Sequence, residues 1–215
     1  MLALIFVRRG QSLKLGSTRL DTIHPIEKES YQIIESRVDL SIYDDGQRAV
    51  VARIIHATGD TSFRDGIAFS PDAITSALSV LQKKPHVIAD CQMVRAGITK
   101  YNTECFLDKV EAGPDGFPTR SAKAIEYGIN LFGDGCVIVI GNAPTALFKT
   151  LDLIDQGFKP GLVIGFPVGF VGASESKDRL MEYENFPYIT NNGERGGSPV
   201  AAACFNALLK LRDIK

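Results

Sequence analysis

The sequence predicts an α/β fold: one domain with a largely parallel central sheet and helices on both faces. Two observations carry this. Short apolar runs of strand length stand at 86–90, 136–140 and 162–165, and each leads into a polar loop. Stretches of helical period lie between them, so strands and helices alternate along the chain. In such sheets the ligand cleft lies at the carboxyl ends of the strands, which here carry the polar loops.

Composition narrows the function. Of 215 residues 45% are apolar, enough for one sizeable core. The 24 basic and 25 acidic residues leave a net charge of −1, which argues against a nucleic-acid partner. Cys91, Cys105, Cys136 and Cys204 show no C-x-x-C spacing and read as reduced, buried thiols. With only three histidines, no metal site is expected. The apolar run from Leu2 to Val7 is too short to span a bilayer. Its charges, Arg8 and Arg9, follow it instead of preceding it, so no membrane role and no signal peptide are expected, and the cytoplasm is the expected location. Residues 1–22 are set apart as an N-terminal extension, an edge strand or a loose arm; residues 23–215 form the predicted domain.

His24-Pro25 starts a helix running to about Arg37, with proline in the first turn where its missing N–H is harmless. Ile26, Ser30, Ile33 and Arg37 share a face, which points Ser30 inward. Asp44 and Gln47 form a capping box for the next helix, whose buried stripe is Val50, Ile54 and Ala57. That helix carries Arg53 and His56 near its end and stops at Gly59. The dipole at a helix carboxyl end suits a protonated imidazole, so His56 is a candidate proton donor.

Ser70-Pro71-Asp72 starts a third helix, with Ile74, Leu78 and Leu81 inward and Pro85 beyond its end. The strand at 86–90 ends in Asp90, placing a carboxylate at the cleft. Residues 103–107 read as a further strand, and 113–118 as a turn-rich loop. Thr119, Arg120 and Ser121 open a helix with Ile125, Ile129 and Phe132 inward; a cation and two hydroxyls there suit a carboxylate or phosphate.

The strand at 136–140 runs into Gly141-Asn142-Ala143-Pro144-Thr145, where small residues let backbone N–H groups approach a ligand and Asn142 and Thr145 add side-chain bonds. The helix that follows buries Leu147, Leu151 and Ile154 and ends at Gly157. After the strand at 162–165, Ser174 is expected to cap a helix holding Lys177. Residues 186–190 read as the last strand. Gly196-Gly197-Ser198-Pro199 begins the final helix, another suitable anion site at Gly197 and Ser198, with Val200, Cys204, Leu208 and Leu211 inward. The glycines match neither G-x-G-x-x-G nor G-x-x-x-x-G-K-[ST], so no nucleotide site is expected.

Five motifs occur in order: Arg53-x-Ile55-His56-x-Thr58-Gly59; Asp90-x-x-Met93-Val94-x-x-Gly97; Gly141-Asn142-Ala143-Pro144-Thr145-Ala146-Leu147; Pro167-Val168-Gly169-Phe170-Val171-x-Ala173-x-Glu175-Ser176-Lys177; and Gly196-Gly197-Ser198. Together they resemble the precorrin-8X methylmutase family, which includes the cobalt-precorrin-8 methylmutases, over about residues 24–212. The resemblance implies a flavodoxin-like three-layer α/β/α sandwich, a homodimer, and an isomerase of cobalamin biosynthesis. The implied reaction moves a methyl group from carbon 11 to carbon 12 of a corrin precursor, giving hydrogenobyrinate or cobyrinate, with no cofactor and no catalytic metal. It also implies that His56 is the catalytic histidine, Ser30 the substrate-contacting serine and Arg120 the substrate-facing arginine. Arg53, Thr58, Asp90, Met93, Thr119, Ser121, Asn142, Thr145, Lys177, Gly197 and Ser198 complete the expected substrate site. The substrate is a polycarboxylate, so a chain of net −1 must gather N–H donors and cations in its cleft. The family often has Gly-Arg-x-Gly-Gly before its last helix, where this chain has Gly193-Glu194-Arg195-Gly196-Gly197. The competing reading is a non-catalytic flavodoxin-like module that holds a tetrapyrrole. A hydrolase is disfavoured, since no G-x-S-x-G is present and the Cys91 thiolate lies beside the Asp90 carboxylate.

Overall fold

The computed structural model describes residues 24–213. The expected N-terminal extension lies outside them. Five strands form one sheet: β1 (Ile67–Phe69), β2 (Val87–Ala89), β3 (Val137–Ile140), β4 (Leu162–Gly165) and β5 (Tyr188–Asn191). Their order is β1-β5-β4-β3-β2, with β2 to β5 mutually parallel and β1 antiparallel to β5.

The alternation of side chains along each strand splits the core into two halves. Val87, Ala89, Val137, Val139, Leu162, Ile164 and Ile189 face α2 (Asp45–Thr58), α3 (Ala73–Gln82), α4 (Gln92–Gly97) and α8 (Ser198–Arg212). Ile88, Ile138, Ile140, Val163 and Tyr188 face α5 (Arg120–Phe132), α6 (Pro144–Asp155) and α7 (Ala173–Met181). Both faces of the strands are covered, which is why they read as unbroken apolar runs rather than alternating ones. The most enclosed helix is α8, buried from Val200 to Phe205 and again from Ala207 to Leu209. It is the central packing element of its layer, against α2, α3 and α4.

The run expected as a strand at 103–107 is reduced to one paired residue. Glu104 bridges Ile88 in parallel, through Ala89 N–H to Glu104 O and Glu104 N–H to Val87 O, both 2.8 Å. The chain then leaves the sheet because Phe106 packs on Tyr127 and Phe132 of α5, and a 3₁₀ turn follows at Leu107–Lys109. From β2 the chain thus passes first to Glu104 on one side and later to β3 on the other. A crevice opens at that reversal, between the carboxyl ends of β2 and β3.

Helix ends follow the sequence closely. Asp44 accepts from Gln47 N–H at 2.8 Å, Gln47 answers with its side chain, and Gly59 ends α2 at φ 66°. The inward faces differ in places. On α1 (Pro25–Arg37) Ile26 and Ile33 are exposed, whereas Ile34 is buried. The true inner stripe is Glu27, Ser30, Tyr31 and Ile34, at i, i+3, i+4 and i+7. Ala57 is exposed, and Val51 and Ile55 share the buried side of α2 instead. Ser174 does not cap α7; Gly172 does, at φ 78°, leaving Ser174 inside the first turn.

Candidate active site

His56 lies in the last turn of α2 and meets α1. Its Nδ1 is 2.8 Å from Ser30 Oγ, and Tyr31 stacks on the ring with centroids 5.3 Å apart and planes at 25°. With Nδ1 bonded to Ser30, Nε2 is the ring nitrogen left to address a ligand. Arg53, one turn back, bonds Glu27 at 2.5 Å and the Tyr31 hydroxyl at 3.2 Å. Lys210 of α8 reaches the same Glu27 carboxylate at 3.6 Å. Arg53 and Glu27 therefore brace Tyr31, which in turn backs the imidazole. Burial raises the Tyr31 phenol above its usual range, against the pull of Arg53. Tyr31, Glu27 and Lys210 were not expected here. The stripe of α1 that holds the first two is visible in the sequence only once Ile34, not Ile33, is taken as its buried residue.

The crevice is built around Asp90, which is fully buried. Its carboxylate accepts N–H bonds from Gly141 (2.9 Å), Asn142 (2.8 Å) and Ala143 (2.8 Å). Burial raises its pKa, outweighing those bonds. The backbone donors expected to meet a ligand at 141–143 are therefore spent on Asp90, because an internal carboxylate fills the anion position that the turn creates. Next to it Cys91 Sγ lies 3.3 Å from Ser198 Oγ at the start of α8. Desolvation, then the Asp90 charge, raises the Cys91 thiol pKa. Gly141 has to be glycine, since a Cβ there would stand 2.5 Å from Val94 and 2.8 Å from the Ser198 Cα. Asn142 and Met93 stand exposed at the rim.

On the other layer, Thr119 caps α5 and its Oγ1 lies 2.7 Å from Thr145 Oγ1 in the first turn of α6. These two hydroxyls border a cavity of about 390 Å³, shared with Phe117, Phe148 and Lys149. Arg120 is exposed beside it and donates through Nε to Leu107 O at 2.6 Å. Ser121 follows it, half-buried. Thr58 Oγ1 donates to Ile54 O at 2.8 Å, so it is satisfied within its own helix.

Lys177 is turned inward and fully buried, donating to Arg195 O at 2.6 Å. The Arg195 side chain bonds Asp60 and Ser62 and lies over the Phe63 ring at 4.3 Å. Gly197 N–H is committed to Phe166 O at 2.8 Å. Phe170 and Val171, 89% and 88% exposed, form an apolar lip on the same loop system.

The expected residues thus fall into three groups. His56, Ser30 and Arg53 meet on α1 and α2. Asp90, Asn142, Gly197 and Ser198 gather at the crevice. Thr119, Arg120, Ser121 and Thr145 lie across the sheet on α5 and α6. Ser30 and His56 touch directly, whereas His56 and Arg120 belong to opposite layers. Among the described residues no three His, Cys, Asp or Glu side chains group as metal ligands, and no helix is long and apolar enough to cross a membrane.

The fold and site define a three-layer α/β domain with a crevice at its strand ends, where such sheets bind small molecules. The particular family follows from comparison with known proteins. The sequence profile of the Precorrin-8X methylmutase family matches residues 25–211. Cobalt-precorrin-8 methylmutase of Priestia megaterium is 37% identical over 205 residues, covering 89% of this chain and 90% of that protein. Precorrin-8X methylmutase of Pseudomonas aeruginosa is 37% identical over 199 residues, covering 87% and 95%. The crystal structure of precorrin-8X methyl mutase from Thermus thermophilus superposes with a TM-score of 0.79 at 32% identity, covering 87% of this chain and 95% of that one. The chain belongs to the precorrin-8X methylmutase family. Its relatives carry the names of enzymes, which favours the isomerase over the binding module.

Proposed function

We propose that this protein is the isomerase that shifts a methyl group from carbon 11 to carbon 12 of precorrin-8X or cobalt-precorrin-8, with His56 as proton donor and acceptor. The observation that supports this most directly is the Ser30–His56 pair. Ser30 bonds the ring at Nδ1, which leaves Nε2 free of that bond and supports its assignment to the ligand. When neutral imidazole accepts the hydrogen bond of the Ser30 hydroxyl at Nδ1, Nε2 carries the N–H, a donor suited to a pyrrole-type nitrogen. Drawing electron density from the macrocycle lowers the barrier to migration, and placing the proton fixes the product tautomer. One carbon–carbon bond breaks as the other forms, so the change is an isomerisation with no group lost.

Substrate carboxylates are assigned to Arg120, the Thr119–Thr145 hydroxyls and the start of α8. The apolar ring is assigned to the lip of Met93, Phe170 and Val171. We assign the fold to the flavodoxin-like group: counting Glu104 as a one-residue strand gives the order 2-1-3-4-5, with β1 added at the far edge. We further propose a homodimer in the cytoplasm. Separation of His56 and Arg120 into opposite layers supports a site completed by a second copy, and light scattering of the purified protein tests it. The functional test is turnover of both substrate forms by wild type and His56→Ala. Wild-type turnover with loss in the variant supports the reading; full turnover by His56→Ala sinks the role of the histidine.

A further inference from the structure

The loop at 192–197 joins β5 to α8 and is tied to the 166–169 turn, to Asp60 and Ser62, and to Lys177 of α7. Its carbonyls and N–H groups are tied to the 166–169 turn by Gly197 N–H to Phe166 O at 2.8 Å and Gly169 N–H to Glu194 O at 3.1 Å. Gly196 lies against that turn so closely that a Cβ would stand 2.4 Å from Phe166 O and 2.6 Å from Pro167 O. On its outer side Arg195 clasps Asp60 and Ser62, just beyond the helix that carries His56. On its inner side one carbonyl, that of Arg195, takes two donors: Lys177 Nζ at 2.6 Å and Asn191 Nδ2 at 2.8 Å. The Lys177 ammonium also lies 3.4 Å from Asn191 Oδ1.

A buried lysine ammonium is costly unless well-placed hydrogen-bond acceptors or charges offset its desolvation. Lys177 is 0% exposed, so a carboxylate of a bound corrinoid has no path to it. Its neighbours are polar but neutral: the Asn191 amide from β5 and the Arg195 carbonyl from the loop. Asp178, on its own helix, is the one charge that acts on it appreciably, and burial outweighs that carboxylate. The ammonium is therefore directed at one backbone carbonyl, with a longer bond to the Asn191 amide oxygen.

We propose that Lys177 is a positioning residue: it fixes the Arg195 carbonyl, and with it the loop that leads into the start of α8, without touching the substrate. This rests on the methylmutase reading. It separates Lys177 from the chemistry, because the bond of the His56–Ser30 pair joins α1 to α2 and no bond of the pair runs to the loop. Loss of Lys177 should then weaken substrate binding and spare the chemical step.

The test is steady-state kinetics of wild type, Lys177→Met, Arg195→Ala and the double variant, each checked for native circular dichroism. Loss of a charge-assisted bond to a ligand-positioning loop should raise KM about tenfold and leave kcat within about twofold. Because both single changes act through one loop, the double variant should show less than the summed loss. A folded Lys177→Met with wild-type KM, or with kcat reduced and KM unchanged, overturns the proposal. So does full additivity with Arg195→Ala. Should Lys177→Met fail to fold, Asn191→Ala removes the second donor to the same carbonyl: a raised KM supports the proposal and an unchanged one overturns it. If wild type itself shows no turnover, the methylmutase reading fails, and the proposal with it.

Discussion

Ser30 Oγ sits 2.8 Å from His56 Nδ1, joining the first two helices at the one imidazole in the site. The bond orients the ring and, on the proposed reading, leaves Nε2 for the substrate. Removing it leaves the histidine present but loosely aimed. One orienting hydrogen bond is worth about 1–1.5 kcal/mol, so Ser30→Ala should lower kcat about tenfold. His56→Ala should lower it by roughly 10²–10⁴-fold, the usual range for a lost acid–base group. Single-turnover kinetics on both variants checks the ranking; equal losses would mean that the serine does more than orient.

Asp90 is a structural carboxylate. Three consecutive backbone N–H groups point at it, and it is fully buried. Asp90→Ala strands those donors, so it should cost roughly 3 kcal/mol or more of stability. Asp90→Asn retains one acceptor oxygen and should cost less. Urea unfolding of both variants measures the difference.

Stability should carry a signature of Lys177 at alkaline pH. Burial lowers its pKa from 10.5 to about 8. Between those values the unfolded chain binds the extra proton, so stability rises with pH across the window. The contribution is present above 10.5 and is lost as pH falls through about 8. Melting temperatures of wild type and Lys177→Met from pH 7 to pH 10 should therefore show wild type gaining on the variant as pH increases. Parallel curves would mean that the lysine is not held in a desolvated site.

The apolar lip offers a clean separation of binding from folding. Phe170 and Val171 are almost fully exposed. Phe170→Ser and Val171→Ser should therefore change stability by no more than about 0.5 kcal/mol. Each should nevertheless raise KM, since a bound ring would cover them. Thermal melts paired with kinetics check this; unchanged KM in both would remove the lip from the site.

Gly196 is constrained by contact rather than by dihedral angle, with carbonyls of Phe166 and Pro167 packed where a Cβ would go. Gly196→Ala should push the loop off the 166–169 turn and cost about 1–3 kcal/mol. A melt of the variant reads it directly.

Much of the fold was legible because local chemistry decided it. Asp44 with Gln47, Gly59, Thr119 and Pro144 set helix ends through caps that need no tertiary context. The apolar runs became strands because both faces are covered. Faces of weakly apolar helices were harder. On α1 the isoleucines Ile26, Ile33 and Ile34 allow two stripes, and only the packing of Tyr31 and Ile34 against α2 selects one. The run at 103–107 has strand-like residues, yet only Glu104 pairs with β2, and Phe106 packs on Tyr127 and Phe132 of α5. His56 and Ser30 were each expected at the site from the sequence, but their direct bond is a tertiary fact. Asp90 and Lys177 show the limit most clearly. A charged residue after a strand or beside a glycine-rich turn reads the same whether it faces a ligand or the interior. Only burial tells them apart, and both face inward.

The most direct measurement is a visible-absorption titration of wild type and His56→Ala with hydrogenobyrinic acid and with its cobalt form. The corrin bands respond to protonation and hydrogen bonding at the ring. Wild type should bind at least one form with a spectral shift, and His56→Ala should bind it without that shift. Identical shifts in both proteins, or no binding of either form by wild type, would contradict the placement of His56 at the corrin ring.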